Sequence, residues 1–276
     1  MARRRPTILY LTDLTYQAAS RRYCDEDIFL SSRLADEFTV ALCAPLDAVR
    51  LMKKFDAVVL RNTGPVIHYK PAFDAFHQKA LTDRVRVHNA LTGRADILGK
   101  QYLVDLTDLG YPVIPTANDY AGSLTLPTAL KYLVKPLYGA DSCGVRVIDR
   151  SRLAQVDLSN DVVIQPYITF AYEVSFFFLD HRFQYALFAP DPARRWILKE
   201  YKPTADDLTF AHQFVQWNTV GHGIQRVDAC RTPEGELLLV ELEDLNPYLS
   251  LDLWDDKARE LFIEDFKDSL KALLQA

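Results

Sequence analysis

The chain lacks most of the short signatures that announce a function. Its four cysteines (Cys24, Cys43, Cys143 and Cys230) form no CxxC pair and no zinc-finger spacing. Scattered cysteines without an export signal suit a reducing compartment, so free thiols and a cytoplasmic location are expected. Six histidines make no HxxxH pair, which argues against a zinc site. No apolar run approaches the roughly 18 residues of a membrane helix, and none follows the MARRR start. Neither a signal peptide nor a transmembrane segment is therefore expected. The net charge is −5, whereas a nucleic-acid binder needs a basic patch, so no nucleic-acid partner is expected. Repeats and low-complexity segments are also missing. What remains is an ordinary globular balance, 49% hydrophobic and 25% charged, with enough length for one multilayer unit or two to three small domains sharing a core.

The first third reads as alternating strands and helices. PTILYLTDL is an apolar run broken by Thr-Asp, as when a buried parallel strand ends in a loop. DEDIFLSSRLADEF spaces Ile28, Phe29, Leu34 and Phe38 as a helix, with Asp25 as a candidate cap. TVALCAP, LDAVRLMKKF and FDAVVLRN follow as strand, helix and strand, closing in a Gly64-Pro65 turn, and VRVHN is a candidate fourth strand. This alternation implies a parallel sheet with helices on its faces. RADILGKQYLVDLTDLG then reads as an amphipathic helix ended by Gly110, and YPVIPT as a short strand. YLVKP, GVRVID, DVVIQPYI, EVSFFFLDHRFQYALF and ELLLVELE are strands joined by turns at Asp180-His181 and Pro233-Glu234-Gly235, hence antiparallel. The fold class is α/β followed by α+β. The expected domains are 1–90 (substrate domain), 91–170 (central domain with a phosphate-covering lid) and 171–276 (nucleotide and metal domain).

Two familiar phosphate loops fail on inspection. Gly139 and Gly144 in LYGADSCGVRVI have Walker-type spacing, but Val145 and Arg146 stand where Lys and Ser/Thr are required. GHGIQR lacks the third glycine of a dinucleotide fingerprint. A glycine- and serine-bearing hairpin survives, whose N–H groups with Ser142 can cover a phosphate; an ordinary tight hairpin is the plainer alternative. Lys135 ends the apolar strand YLVKP, and an inward lysine there needs an anion. Lys100 offers a second cation, and a simple salt bridge is the plainer reading of each.

The stretch LLLVELEDLNPYLSL drives Glu241, Glu243, Asp244 and Asn246 onto the end of an aliphatic strand. Asp228 lies on GIQRVDAC, and pairing across the TPEGE turn brings it opposite the glutamates. The set is all oxygen, which suits a hard cation; magnesium takes one or two carboxylates together with substrate phosphates. A solvated acidic loop is the plain alternative. Arg226, two residues before Asp228 and on the same strand face, favours a site that balances charge around a phosphate.

In order, Lys100, VKP, GADSCGV, QPYI with Glu173 beyond it, the basic pair Arg194-Arg195, RVDA and the acid-and-asparagine strand end resemble the ATP-grasp superfamily of carboxylate–amine ligases. The resemblance runs from about Lys100 to Leu251. It implies an ATP-grasp fold and an ADP-forming ligase with ATP and two Mg2+ ions. Lys100 and Lys135 would then contact phosphates under the hairpin bearing Ser142 and Gly144. Gln165, Tyr167 and Ile168 would hold adenine through backbone groups, and Glu173 the ribose. Arg226 and Arg195 would steady the transferring phosphoryl group, and Asp228, Glu241, Glu243 and Asn246 would hold the ions. The family usually shows Glu-x-Asn, whereas Glu243 and Asn246 are three apart. Glu243 is the first candidate for the bridging acid and Glu241 the next; Asp244 has the family's spacing.

The loops after the first and third strands lie where an open α/β sheet binds ligands. Arg21, Arg22 and Arg61 are candidates to grip a substrate carboxylate, with Tyr23 and the acids from Asp25 to Asp27 for an amino group; surface charge and helix capping are the plain alternatives. Both signs together fit an amino-acid-like small molecule. TDLTY, RRY-DED, RN-GP and DLNPYLSL also resemble the small ATP-grasp cyclo-ligases of D-cycloserine biosynthesis, which close O-ureido-serine onto itself. An intermolecular amino-acid or peptide ligase, a non-catalytic ATP-binding sensor, and a phosphotransferase with a stable phosphorylated product remain open beside that reading.

Overall fold

The run TILYL buries four of its five side chains and becomes the centre of a parallel sheet. The computed structural model describes residues 4–18, 21–61, 63–140, 142–157, 161–191, 194 and 196–276. β1 (Thr7–Leu11) leads into a small ribbon of β2 (Gln17–Ala18) and β3 (Arg21–Arg22), then α1 (Cys24–Leu34) and β4 (Thr39–Cys43). α2 (Ala48–Leu51), β5 (Ala57–Leu60), α3 (Lys70–Thr82) and β6 (Val87–His88) complete the first unit, whose strand order is β4-β1-β5-β6, parallel throughout. AVVL of β5 is buried at every position, as a strand covered on both faces must be. The helix expected over LDAVRLMKKF contracts to the four residues of α2 between 3-10 turns at Pro45–Asp47 and Met52–Lys54.

The segment expected as one helix from Arg94 to Gly110 is broken at Gly99. That residue has φ +89°, and the Tyr138 ring lies 2.8 Å from where a Cβ would sit. A short 3-10 turn, Asp96–Leu98, precedes the break and α4 (Gln101–Asp108) follows it. YPVIPT makes only an isolated bridge, Val113 to Leu239, because its two prolines offer no N–H to a ladder. After α5 (Tyr120–Thr125) come β7 (Lys131–Pro136), β8 (Arg146–Asp149) and β9 (Val162–Pro166), an antiparallel sheet in the order β8-β7-β9. β10 (Tyr172–Leu179), β11 (Arg182–Ala189), β12 (Lys199–Tyr201), α6 (Ala205–Asn218), β13 (Ile224–Arg231) and β14 (Leu237–Glu243) follow, with α7 (Asp256–Gln275) last. Their antiparallel order is β12-β11-β10-β13-β14.

Packing ties the units together across sequence. Tyr102, Leu103 and Leu106 of α4 join Phe214 of α6 against Phe176, Phe178 and Leu242 on one face of the five-stranded sheet. Phe262, Ile263, Phe266 and Leu270 of α7 bridge Ile8 and Tyr10 of the parallel sheet to Phe177 and Leu179 of β10. Each such buried side chain contributes about 1.5–3 kcal/mol of transfer free energy. The β7–β9 sheet keeps a smaller core of its own around Tyr132, Val134 and Ile164. Among the described residues, no helix is long and apolar enough to cross a membrane.

A β-bulge interrupts the β13–β14 ladder. Ala229 pairs with Leu239 and Asp228 with Glu241, so Val240 is the extra residue. Leu237 and Leu239 point into the core before the bulge, and Leu242 does so after it. Strict alternation from Leu239 would have aimed Glu241 and Glu243 at that core; the bulge reverses their phase.

Candidate active site

Two clefts meet on the open face of the five-stranded sheet. The first, of about 290 Å³, lies between that sheet and the β7–β9 sheet, with Ile114, Leu133, Val240, Tyr167, Ile168 and Phe170 among its apolar walls and Lys100, Lys135 and Glu173 among its charged groups. The second, of about 160 Å³, continues over β10, β11 and β13 toward the parallel-sheet unit, reaching Tyr23, Tyr248 and Ser250. Ala140, Ser142, Glu173, Val240 and Glu241 border both. Period-2 alternation puts Glu173, Ser175 and Phe177 of β10 on this face, and register aligns Ser175 with Asp228 and Phe177 with Arg226. Asp228 in turn faces Glu241, and Arg226 faces Glu243.

Ligand atoms of Asp228, Glu241 and Glu243 lie within 4.8 Å of one another, the sole such group among the described residues. Arg226 is half-buried between them. Its Nε is 2.9 Å from Asp228 Oδ1, its Nη2 is 2.9 Å from Asp228 Oδ2 and also donates to Glu243, and its Nη1 donates to the Tyr248 carbonyl at 3.1 Å. Ser175 Oγ donates to Asp228 Oδ1 at 2.6 Å. Burial pushes the Glu243 carboxyl well above the usual range; Arg226 opposes this, and Asp228 and Glu241 reinforce it. Glu241 goes the other way. Burial would raise it, but Lys100 and then Lys135 hold it below the usual range. Lys100 is buried, donates to Glu241 and to Asp96 Oδ1 (3.0 Å), and so keeps its proton. Asp96, buried beside them, is pushed up to about 7.

Asn246 donates from Nδ2 to the Gly64 carbonyl at 3.0 Å and borders the second cleft, which leaves its side-chain oxygen as the atom a cation would take. Asp244, the acid with the expected spacing, is not in the cleft. It is fully buried and accepts the N–H groups of Ile97 (2.8 Å) and Ala95 (3.2 Å), occupying the space a Cβ on Gly93 would need. Burial pushes it up to about 6. Asp228, Glu241, Glu243 and Asn246 thus form an all-oxygen set at one point, which fits a hard divalent cation such as Mg2+.

Lys135 projects from β7 beside Leu133 into the first cleft, while Tyr132 and Val134 face the small core. Ser142 and Gly144 sit in the β7–β8 hairpin with φ +59° and +74°; a Cβ on Gly144 would come within 2.8 Å of Pro136. The hinge divides. The Gln165 side chain is fully buried and donates to Thr116 Oγ1 at 2.8 Å, so it does not line the cleft, whereas Tyr167 and Ile168 do. The Tyr167 N–H is already engaged by the Lys131 carbonyl at 2.9 Å.

The expected carboxylate grip is corrected at Arg61. Arg61 is fully buried: Nε donates to Asp27 (3.2 Å), Nη2 to Glu26 (3.0 Å) and Nη1 to the Pro247 carbonyl (2.8 Å). A guanidinium so enclosed serves the interior, and Glu26 and Asp27 are consumed with it. Arg22 is exposed and pairs with Asp25 at 3.2 Å, outside the cleft lining. Arg21 is placed by its backbone in β3. Arg195 lies outside the described residues, and Arg194 pairs with Asp191 at 2.7 Å. Tyr23 does border the cleft, stacked on Tyr248 with ring centroids 4.7 Å apart. Ser175, Tyr248, Ser250 and Asp96 were not singled out from sequence. Ser175 was findable, because it is two residues beyond Glu173 in a strand whose polar positions alternate.

No protein-family model and no curated sequence matches the chain. Solved structures do. A D-cycloserine synthetase, DcsG, matches with a TM-score of 0.74 at 22% identity, over 97% of this chain and 99% of that one. The D-alanine–D-alanine ligase of Bacillus anthracis, complexed with ATP, gives 0.64 at 14% identity over 98% and 97%. The ATP-grasp ligase PsnB, complexed with a phosphomimetic variant of its minimal precursor, Mg and ADP, gives 0.61 at 14% over 97% and 98%. The chain therefore has the ATP-grasp fold, as the resemblance of its motifs implied.

Proposed function

We propose that this protein is an ATP-dependent ligase that activates a small amino-acid-like carboxylate as an acylphosphate for attack by a nitrogen nucleophile. One observation carries the reading: three carboxylates and an arginine converge where an apolar-walled cleft bearing two lysines meets a second cleft. In this reading the first cleft would hold adenine by the backbone of 166–168, with Val240 and Ile168 among its apolar walls and Glu173 available to the ribose. Lys135 and the Ser142–Gly144 hairpin meet the phosphates. Asp228, Glu241, Glu243 and Asn246 would hold two Mg2+ ions. When bound, Mg2+ neutralises phosphate charge and aligns the terminal phosphoryl group.

The residues then act by position and charge. Arg226 meets the charge that develops as the γ-phosphoryl group passes from ATP to the substrate carboxylate, giving ADP and an acylphosphate. Nitrogen attacks the acyl carbon, the carbon–oxygen bond to phosphate breaks, phosphate leaves and the nitrogen gives up a proton. The β7–β8 hairpin keeps water from the intermediate. Tyr23, Tyr248 and Ser250 border the substrate end. The similarity to the cycloserine synthetase supports O-ureido-serine, with carboxylate and nucleophile in one molecule, as the first substrate to test.

The test supplies ATP, Mg2+ and a panel of amino-acid-like carboxylates, O-ureido-serine first, and follows ADP, phosphate and product mass. Equal ADP and phosphate, dependent on one carboxylate, is the expected result. A stable phosphorylated product without free phosphate would indicate a phosphotransferase, and ATP binding without turnover a sensor. A product formed without a second substrate identifies cyclisation.

A further inference from the structure

We infer that Glu26, a residue outside both clefts, is a positioning residue that fixes the substrate end of the site; this deepens the ligase reading and rests on it. The segment from Leu245 to Ser250 has no ladder or helix of its own, yet most of it is buried, so its peptide groups need partners. Glu26 supplies two of them. Its Oε1 accepts the Leu249 N–H at 2.9 Å and its Oε2 the Leu251 N–H at 3.2 Å. These peptides flank Ser250, which is held at φ +54°, a left-handed conformation that a residue with a Cβ seldom adopts unaided. Arg61 completes the clamp, donating to Glu26 and to the Pro247 carbonyl.

The clamped segment is the one that borders the cleft. Tyr248 and Ser250 line it; the Tyr248 carbonyl accepts from Arg226 at 3.1 Å; and the Tyr248 ring stacks on Tyr23. Tyr23 is the residue immediately before α1, and Glu26 lies in the first turn of that helix. One helix start therefore holds both aromatic rings of the wall, Tyr23 directly and Tyr248 through the backbone. Glu26 itself borders neither cleft, so whatever it does to substrate it does through Leu249, Ser250 and Leu251.

Asp27 provides the control. It is buried in the same network, accepting from Tyr10 (2.9 Å), Thr12 (2.6 Å) and Arg61 (3.2 Å), partners that lie outside the 246–251 segment. Glu26→Gln keeps the shape and sets an amide NH2 against one of the two peptide N–H groups. Glu26→Asp keeps the charge for Arg61 while withdrawing from both peptides, and serves if the glutamine variant does not fold. For either, the KM of the carboxylate substrate is expected to rise about tenfold or more, from one lost charged hydrogen bond. MgATP affinity, measured by calorimetry, is expected to change less than that KM, because the lost bonds go to Leu249 and Leu251 whereas adenine and ribose would be held in the other cleft. Asp27→Asn is expected to lower the melting temperature yet leave that KM within about threefold. Amide hydrogen exchange at Leu249 and Leu251 gives a readout without turnover: faster by about tenfold in the Glu26 variants and unchanged in Asp27→Asn. Parallel changes in the two sets, or an unchanged KM and exchange rate in the Glu26 variants, would overturn the inference. A parent enzyme that turns over no carboxylate while the exchange pattern holds would sink the ligase reading and leave the clamp standing.

Discussion

Replacing Glu243 by glutamine is expected to stabilise the fold while abolishing magnesium-dependent turnover, and the same change at Glu241 is expected to destabilise it. Glu243 lies within 4.8 Å of both Asp228 and Glu241. At an effective dielectric of about 20, each like-charge pair at that distance costs about 3.5 kcal/mol, so the two cost about 7. The contact with Arg226 returns an amount of the same order. The charge terms nearly cancel, and burial sets the sign against the ionised carboxylate. Glutamine keeps the shape and still accepts from Arg226. For a chain of 276 residues the unfolding entropy is about 0.6 kcal/mol/K, so a gain of about 1 kcal/mol is a rise of about 2 °C in melting temperature. Because the folded carboxyl titrates well above its unfolded value, its contribution is present at low pH and lost as pH rises through the folded pKa. The glutamine advantage therefore grows with pH, and calorimetry at about pH 8.5 in chelator is the assay. At Glu241 the signs reverse: the glutamine would leave Lys100 buried with Asp96 alone, at a cost of about 3 kcal/mol or about 5 °C. Melting temperatures that fall together by similar amounts would refute the charge balance, whatever happened to activity.

Arg61→Leu strands two buried carboxylates, Glu26 and Asp27, and is expected to cost about 3–5 kcal/mol; a denaturant titration showing a loss below about 1 kcal/mol would contradict the buried clamp. Gly144→Ala forces a Cβ against Pro136 at φ +74°, and about 1 kcal/mol of hairpin strain should raise the KM for ATP about fivefold with the fold intact. His88 is buried, with Nε2 3.0 Å from Ser269 Oγ, and burial holds it neutral down to about 4. The unfolded imidazole takes its proton near pH 6.5, so this residue withdraws up to about 3 kcal/mol of stability as pH falls from there toward 4. Chemical unfolding of His88→Gln across that window should show a flatter acid slope than the parent, and equal slopes would exclude His88 as the cause.

The parallel sheet and the β13–β14 pair were legible because both rest on local rules. TILYL and AVVL are apolar at nearly every position, and the TPEGE turn joins two strands close in sequence, which sets Asp228 across from Glu241. Arg61 was misread because its partners, Glu26, Asp27 and Pro247, are remote in sequence, and an arginine following a strand reads as surface. α4 reads as an amphipathic helix, but the surface it covers is not legible locally: it packs on the five-stranded sheet, a choice made by tertiary contact between its apolar stripe and Phe176 and Leu242. Asp244 had the right spacing by count and the wrong direction in space. β14 ends at Glu243, after which the chain turns inward at Asp244 and Leu245 before Asn246 returns to the cleft.

The bulge at Val240 has a consequence for how this chain can vary. β14 is two short strands of opposite phase spliced at one residue: Leu237 and Leu239 keep the core on one side of the splice, and Leu242 keeps it on the other. Removing Val240 would join them into one continuous phase, with Leu242 still facing the core and Glu241 and Glu243 still facing the cleft. Removing Leu242 instead would turn an acidic side chain toward the hydrophobic interior, a larger injury than substituting it. Deletion scanning would thus separate two residues only two apart, with Val240 tolerant and Leu242 intolerant, a distinction that alanine substitution would blur.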